Sequence, residues 1–305
     1  IDQAHARGIR KCIFMGDWHH HRATINVSTL NYTVSNLRRL SESFDEVYMI
    51  MGNHDLYYRE KREIHSIPMA DEYDNIHVVT DDILVKDDVA IVPWLVDDEW
   101  KKLKHVNCRY MFGHFELPSF YMNAMVQMPD LGHGLKADDL RKPEFVFSGH
   151  FHKRQQDGNV IYTGNAFPHN YSDAWDDERG LMFLEWGGQP EFVQWPDAPK
   201  YRTIPLSKLI DNPEKILSSK TNCRVTLDVG ITYEEANYIK ETFAQQYDLR
   251  EIALMPAKKE EHATDWNSNN DIQVENVDQI VLNQLQAIDS PTIKNSQLIE
   301  IYNSL

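Results

Sequence analysis

Four short apolar segments of this chain each end in a glycine that is followed at once by a polar side chain. The segments cover residues 11–15, 46–51, 108–112 and 144–148, and their composition predicts four β-strands. In chain order, the motifs after them are Gly16-Asp17, Gly52-Asn53-His54-Asp55, Gly113-His114 and Gly149-His150-Phe151-His152. Ligands and catalytic groups gather beyond the carboxyl ends of the strands of an α/β sheet. The repeated pattern therefore predicts an α/β fold in which the four motifs converge.

The polar residues of these motifs are of the types that bind divalent metal ions. They offer a carboxylate, an amide oxygen and imidazoles, a set that suits Mn²⁺, Fe²⁺ or Zn²⁺. The motifs hold no thiolate, which argues against a structural zinc site. A single His-x-His such as His150 and His152 is more often an ordinary surface pair, so the argument rests on the repetition. At strand spacing, these two rings are expected on the same face.

The composition indicates a soluble protein with a sizeable core. The chain has 305 residues, of which 42% are hydrophobic, enough for one large domain and a smaller one. No apolar run approaches the ~20 residues needed to cross a bilayer. Cys12, Cys108 and Cys223 are scattered, and two of them lie in apolar runs, as expected for reduced cysteines of a cytoplasmic protein.

The net charge of −16 argues against a simple DNA-binding protein, because phosphate contacts need a basic surface. Divalent metal ions at the scissile phosphate, or a partner protein, can supply the missing positive charge. A few basic residues follow the motifs closely, and they are either substrate contacts or solvated loop charges. They are Arg22, Arg59, Lys61, Arg62, Lys153 and Arg154.

Taken together and in this order, the four motifs resemble those of the calcineurin-like metallophosphoesterases. Within that superfamily the chain is most similar to SbcD-type DNA-repair nucleases, above all the recombination endonuclease subunits of large tailed phages. The resemblance extends from Ile1 to about Trp186 and is looser beyond. It implies a two-sheet α+β sandwich flanked by helices, with a small α+β capping domain and a helical tail. It also implies phosphodiester hydrolysis with two divalent metal ions, Mn²⁺ by preference.

The resemblance assigns roles to individual residues. Asp17 would bridge two metal ions, one completed by Asn53, His114 and His150 and the other by His152 and the family's first motif, which is missing here. The acid–base and substrate contacts would come from four basic side chains. By the resemblance, His20 would protonate the leaving oxygen and His54 would contact the phosphate, whereas Arg22 and Lys153 are predicted as substrate contacts because they closely follow the motifs.

The first motif of the family, an Asp-x-His, has two candidate positions. Asp17-Trp18-His19 fits the pattern, but the interval to Asn53 has room for only one helix and one strand, whereas the family needs a further βα unit. We therefore expect the first motif and its strand upstream of Ile1, and we take Asp17 as the aspartate of the second motif. His19 and His21 are then expected to face solvent.

Residues outside the motifs predict packing elements. Residues 26–41 predict a helix that packs through Leu30, Val34, Leu37 and Leu40. Thr232 and Glu235 have the spacing of a capping box, which predicts the start of another helix there. Short strands at 76–79, 83–85 and 89–92 predict a second sheet. Residues 159–162 and 180–186 predict further strands, and 192–195 predicts the strand that closes the sandwich. Residues 117–141 predict a packed loop and helix, and a rim over the site is the alternative that we do not favour. Asn165 stands where the family has a serine, so no role is transferred to it.

The composition changes near Pro196 and again near residue 260, which predicts three domains. These are a nuclease domain (1–195), a capping domain (196–259), and a linker with a helical tail (260–305). The tail carries an apolar stripe formed by Val277, Ile280, Val281, Leu285 and Ile288. The resemblance implies that this tail binds an SbcC-type, SMC-like ABC ATPase, while docking on its own domain is the alternative. A homodimer is compatible with the resemblance.

The expected function is a metal-dependent DNA nuclease that works in double-strand-break processing and recombination with this ATPase. It would act on DNA in the cytoplasm, or in the host cytoplasm if a phage encodes it, and not at a membrane. Two other functions fit the same motifs. One is a phosphatase or a small-molecule or RNA phosphodiesterase, and the other is a non-catalytic scaffold for the ATPase.

Overall fold

A computed structural model describes residues 1–256, 294–297 and 299. Residues 1–256 belong to one compact unit. Its α-helices are α1 (Asp2–Ala6), α2 (Val27–Ser43), α3 (Leu206–Asp211), α4 (Pro213–Ile216) and α5 (Tyr233–Gln246). Its strands are β1 (Lys11–Phe14), β2 (Glu46–Ile50), β3 (Leu56–Tyr58), β4 (Lys61–His65), β5 (Ile76–Val79), β6 (Leu84–Lys86), β7 (Val89–Ile91), β8 (Tyr110–Gly113), β9 (Phe145–Ser148), β10 (Gln155–Asp157), β11 (Val160–Tyr162), β12 (Gly180–Phe183), β13 (Glu191–Gln194), β14 (Lys200–Pro205), β15 (Thr221–Leu227) and β16 (Glu251–Pro256). Four 3-10 helices cover Pro68–Glu72, Asp97–His105, Ala137–Leu140 and Tyr171–Asp173.

Two sheets carry the four motifs. The first has three parallel strands in the order β1-β2-β5. The second has six strands in the order β10-β11-β9-β8-β7-β6, with parallel pairing from β11 to β7 and an antiparallel strand at each edge. The prediction that the four motifs follow strands is confirmed, but those strands are divided between two sheets.

The two sheets pack face to face. Tyr48 and Ile50 from β2 share one buried cluster with Tyr110 and Phe112 from β8 and with Phe147 from β9. The alternate side chains of the same strands point away from this shared core, because successive side chains of a strand lie on opposite faces. Both faces of the central strands are therefore apolar, and the mixed α/β sandwich that the sequence predicted is confirmed.

Each outer face of the sandwich has its own core. Val47, Met49 and Met51 pack on the outside of the first sheet against Leu37 of α2. Met111 and Val146, with residues of the 3-10 helices and of the segment 115–135, form the cluster outside the second sheet. The central strands are thus covered on both sides, and their carboxyl ends are held in fixed positions.

Helix α2 confirms the helix predicted at 26–41, but the face that packs on the sheet is not the predicted one. The Asn26 side chain accepts a hydrogen bond from the backbone N–H of Thr29 at 2.8 Å, which caps the first turn. Leu37 is fully buried, but Leu30 and Val34 are each 38% exposed. The prediction that these two residues pack is wrong, because the helix turns its Thr33 and Leu37 side towards the sheet.

Two further sheet predictions need correction. The strand predicted at 76–79 is present as β5, but it pairs with β2 in the first sheet rather than joining the second. Its neighbours β6 and β7 do belong to the second sheet. The hairpin β3–β4, directly after the motif that begins at Gly52, is absent from the sequence prediction. Its residues alternate poorly and are mostly exposed, so the hydrophobic pattern gives no strand signal there.

The segment after residue 195 forms its own small layer. Strands β14, β15 and β16 make a three-stranded parallel sheet, and α5 packs on it through Ile239 and Phe243. The predicted capping box is confirmed, since Thr232 and Glu235 exchange hydrogen bonds at the start of α5. The boundaries at 195 and 259 stay predictions, and the apolar stripe from Val277 to Ile288 lies outside the described residues. Among the described helices, none is long and apolar enough to cross a membrane.

Candidate metal centre

The carboxyl ends of β1, β2, β8 and β9 bring four side chains together. One metal-ligand atom from each of Asp17, His114 and His150 lies within 4.8 Å of the other two. Asn53 joins them, because its Oδ1 lies 3.2 Å from His114 Nε2 and 3.0 Å from His150 Nδ1. The structure thus brings together four of the five predicted metal ligands.

The His114 ring is held in one tautomer. Its Nδ1–H donates a hydrogen bond to the Met15 carbonyl at 2.7 Å, because a carbonyl can only accept. In the neutral ring, Nε2 then carries a lone pair, and it faces Asp17 Oδ2 at 3.2 Å as well as Asn53 Oδ1. Burial lowers the pKa of His114, but the Asp17 carboxylate outweighs burial and raises it. Asp17 Oδ2 and Asn53 Oδ1 both face Nε2 as acceptors, so without a metal ion they favour a proton on Nε2, and a bound cation would take the place of that proton.

The Asp17 carboxylate is kept ionised. Burial alone would raise its pKa, but the charge and hydrogen bond of His114 and the His54 backbone N–H lower it well below the usual range. That N–H donates to Asp17 Oδ1 at 2.9 Å. Asp17 also adopts a left-handed backbone conformation with φ of 60°, which aims the side chain back at the strand ends.

His150 has a ring nitrogen without a hydrogen bond. Its Nε2 is buried and unpartnered among the described residues, and Glu116 Oε1 lies 3.6 Å away. Burial lowers the pKa of His150, so the ring is neutral near pH 7 and a lone pair is available to a metal ion. The donor set and this unsatisfied nitrogen fit a divalent cation.

Glycines allow the strand ends to approach this closely. A Cβ on Gly52 would collide with the Asp17 carboxylate, and one on Gly16 would collide with the His114 ring. A Cβ on Gly149 would collide with the Met15 carbonyl, the same atom that holds His114. Glycine is therefore required at these positions by space.

Asp55, for which the sequence suggested no role, ties the first two motifs together. Its fully buried carboxylate accepts hydrogen bonds from the backbone N–H groups of Asp17 at 2.8 Å, Gly52 at 3.0 Å and His19 at 3.1 Å. Burial and the Asp17 charge raise the pKa of Asp55. Asp17 in turn accepts a hydrogen bond from the backbone N–H of His54. The loop after β1 and the loop after β2 therefore hold each other in place.

His19 is buried, so the expectation that it faces solvent is wrong. Its Nε2 lies 2.7 Å from Thr33 Oγ1, and its Nδ1 lies 2.8 Å from Ser66 Oγ. Two hydroxyl partners satisfy both ring nitrogens, which explains how an imidazole can be 3% exposed. His19 packs between α2 and the loop after β4, while His21 is exposed as expected.

His20 and His54 lie side by side. Their rings stack with centroids 5.1 Å apart and an angle of 13° between the planes. His54 Nδ1–H donates a hydrogen bond to the His20 carbonyl at 2.8 Å, so His54 Nε2 is the ring nitrogen that this bond does not use. His20 is exposed. Their predicted catalytic roles stay predictions.

His152 lies apart from the Asp17 group. Strand β9 ends at Ser148 and His150 is left-handed with φ of 75°, so the prediction that both rings share a strand face is wrong. His152 Nδ1 is 4.0 Å from Asp173 Oδ2. Asp173 forms a fully buried ion pair with Arg179, which also donates to the His152 carbonyl. That pair gave no signal in the sequence, and a second metal ion at His152 stays a prediction.

The basic residues after the motifs differ in their partners. Arg62 forms a two-pronged ion pair with Glu99, and Arg154 pairs with Glu178, so both charges are neutralised. Lys153 Nζ lies 4.7 Å from the centre of the Tyr121 ring. Arg22 Nη1 is buried and has no hydrogen-bond partner within the described part of the chain. Substrate contacts by Arg22 and Lys153 stay predictions.

Removing the Asp55 carboxylate tests how the loops are held. Asp55→Ala leaves three backbone N–H groups without their acceptor, and we expect a loss of at least ~3 kcal/mol in the free energy of unfolding, measured with urea. Asp55→Asn keeps one acceptor oxygen and should lose less. Asp71→Ala, at an exposed aspartate, is the control and should stay within ~0.5 kcal/mol of the wild type. Equal stability of Asp55→Ala and the wild type would contradict the assignment.

Comparison with known proteins gives one informative relative. No protein-family model matches the chain. The chain is 24% identical to exonuclease subunit 1 of Enterobacteria phage T4 over 317 aligned positions. The alignment covers 100% of this chain and 89% of the phage protein. The similarity therefore includes all four motifs and also the segment after residue 195.

Proposed function

We propose that this protein is a metal-dependent nuclease that hydrolyses phosphodiester bonds of DNA. The observation that carries the proposal is the convergence of Asp17, Asn53, His114 and His150 at the ends of four strands. The full-length similarity to a protein named exonuclease subunit 1 supports nucleic acid as the substrate.

Asp17, Asn53, His114 and His150 would hold one divalent cation, and Mn²⁺ is the ion that we assign. One carboxylate, one amide oxygen and two imidazoles form a mixed oxygen and nitrogen set that suits this class of ion. Such a cation, when bound, polarises a phosphoryl oxygen and stabilises the negative charge that develops on it. The Met15 carbonyl keeps the His114 ring turned so that Nε2 faces the ion.

His54 and His20 are the groups that act on the substrate. His54 Nδ1–H is engaged with the His20 carbonyl, so Nε2 is the ring nitrogen that can face a phosphate oxygen, and it donates a hydrogen bond there when the ring is in its imidazolium form. His20 is exposed beside it and is the residue that we assign to proton donation to the leaving oxygen. Arg22 and Lys153 would contact the flanking phosphates.

A partner subunit would complete the enzyme. The relative is named as a subunit, and the predicted tail beyond residue 260 has the apolar stripe expected of a partner-binding segment. We assign an SMC-like ABC ATPase as that partner, in double-strand-break processing and recombination. Such a partner can also supply a basic DNA-binding surface to a chain whose net charge is −16.

Removal of one proposed ligand tests the metal site. His150→Ala should abolish Mn²⁺ binding in calorimetry and lower Mn²⁺-dependent hydrolysis of bis-p-nitrophenyl phosphate by at least ~100-fold, since the ion supplies the charge stabilisation. His105→Ala, at an exposed histidine outside the site, is the matched control and should change neither result. Undiminished Mn²⁺ affinity in His150→Ala would contradict the ligand assignment.

Replacement of His20 separates proton transfer from metal binding. His20→Ala should leave the Mn²⁺ affinity unchanged and lower the turnover of a DNA oligonucleotide by about 10²- to 10⁴-fold, the usual contribution of a proton donor. His21→Ala is the control, because its ring is adjacent and exposed. The assignment fails if the two variants turn over equally fast.

Deletion of the tail separates catalysis from assembly. A chain without residues 277–305 should still hydrolyse bis-p-nitrophenyl phosphate, because the proposed ligands all lie before residue 153. It should no longer co-purify with the SMC-like partner. Retained binding of that partner by the shortened chain would show that the tail is not the binding segment.

A further inference from the structure

A cleft of about 200 Å³ opens directly beside the proposed metal centre. His114 and Glu116 belong to its lining, so the cleft shares a wall with the site. Its volume is below the ~300–1,000 Å³ of sites for drug-sized ligands, and it suits a single ring system. This cleft, between the 94–100 segment and the 128–135 segment, has no part in the function described so far.

The cleft has flat aromatic and apolar walls. Trp94 and Trp100 line one side, and Trp94 lies against the metal-site imidazoles, with ring centroids 5.2 Å from His150 and 5.9 Å from His114. Met128 and Leu131 belong to the segment that lines the cleft with them. Leu131 is 64% exposed, so its side chain is accessible to a ligand in the cleft.

The charges of the cleft lining disfavour a phosphate as its occupant. Its ionisable lining consists of the carboxylates of Asp97 and Glu116 and the imidazoles of His114 and His133. No lysine or arginine is among the lining residues in the described part of the chain. An anion would meet two carboxylates there, while the nearby cations, Lys101 and Lys104, lie outside the lining at 5.8 and 5.3 Å from the centre of the Trp100 ring. The lining therefore favours an uncharged, planar occupant. Carboxylates at the edge can accept hydrogen bonds from exocyclic amino groups.

We infer that this cleft is a nucleobase subsite, in which a base of the DNA strand next to the scissile phosphate stacks on Trp100 and Trp94. The inference rests on the proposed function, because the phosphate of the same strand would lie at the Asp17, His114 and His150 group. The polarisable ring face of a base can stack on the indoles, and its amino groups can donate hydrogen bonds to the carboxylates of Glu116 and Asp97. Such stacking tolerates many sequences, because every base has such a face. The subsite requires a base that is unpaired, so it favours single-stranded ends over intact duplex.

The test compares DNA substrates that have or lack one base. A set of single-stranded oligonucleotides, each with one abasic position, is cleaved with Mn²⁺ and scored at each bond, with bis-p-nitrophenyl phosphate as a substrate that has no base. In the wild type, one abasic position beside the cleaved bond should lower cleavage there by about 5- to 150-fold, the usual range for a lost base stack. Trp100→Ala should lower the ratio of oligonucleotide to bis-p-nitrophenyl phosphate hydrolysis by a similar factor.

Cleavage of the abasic substrate by Trp100→Ala tests whether the base stacks on Trp100. If the base stacks on Trp100, the abasic position should cause no further loss in Trp100→Ala, because both changes remove one interaction. If the losses from the abasic position and from Trp100→Ala multiply, the subsite is wrong. It is also wrong if Trp100→Ala lowers hydrolysis of the oligonucleotide and of bis-p-nitrophenyl phosphate by the same factor. Leu131→Ala should lower the same ratio by a few-fold and does not threaten the fold, since its side chain is exposed. Trp186→Ala, at an exposed tryptophan outside the cleft, is the matched control.

A binding measurement separates this inference from the proposed function. Fluorescence anisotropy without added metal should show weaker binding of the parent oligonucleotide to Trp100→Phe and weaker still to Trp100→Ala. The abasic oligonucleotide should bind all three proteins equally. A chain that binds in this way but hydrolyses neither substrate contradicts the proposed function and leaves the subsite standing. Equal affinity of the wild type and Trp100→Ala for the parent oligonucleotide overturns the subsite.

Discussion

The candidate site depends on one contact between the two sheets. The His114 ring comes from the end of a strand in the second sheet, and it donates to the Met15 carbonyl at the end of a strand in the first. This bond fixes the ring's tautomer and brings its Nε2 to Asp17 and Asn53. Gly149 leaves room at the same carbonyl. The register between the sheets therefore decides whether the four proposed ligands meet, and the shared apolar core between the sheets fixes that register.

A bound cation would explain how an acidic chain acts on the anionic substrate that we propose. Asp17, Asn53 and the two imidazoles bring together oxygen and nitrogen atoms of the kinds that bind metal ions, so the cluster favours a bound cation. Its positive charge would then be local to the site, in a chain whose net charge is −16. The acidic cleft beside it would orient a nucleotide, with the base in the cleft and the phosphate at the metal centre.

The sequence predicted the features that depend on local patterns. The strand at 76–79 and the capping box at Thr232 have the predicted positions, because alternation and capping chemistry act over a few residues. The features that were missed depend on distant partners. The burial of His19 depends on hydroxyls 14 and 47 residues away. The role of Asp55 depends on the fold placing the backbone N–H of Asp17 next to its carboxylate. The left-handed turn at His150, which separates it from His152, leaves no hydrophobic pattern.

The position of a bound ion tests this account most directly. Crystals of the protein soaked in Mn²⁺ can be measured at the manganese absorption edge, where an anomalous difference map locates the ion without reference to any assumed ligand. The account predicts a peak enclosed by Asp17 Oδ2, Asn53 Oδ1, His114 Nε2 and the His150 ring. A map with no peak among these four side chains, or with its strongest peak at a different group of residues, would contradict it.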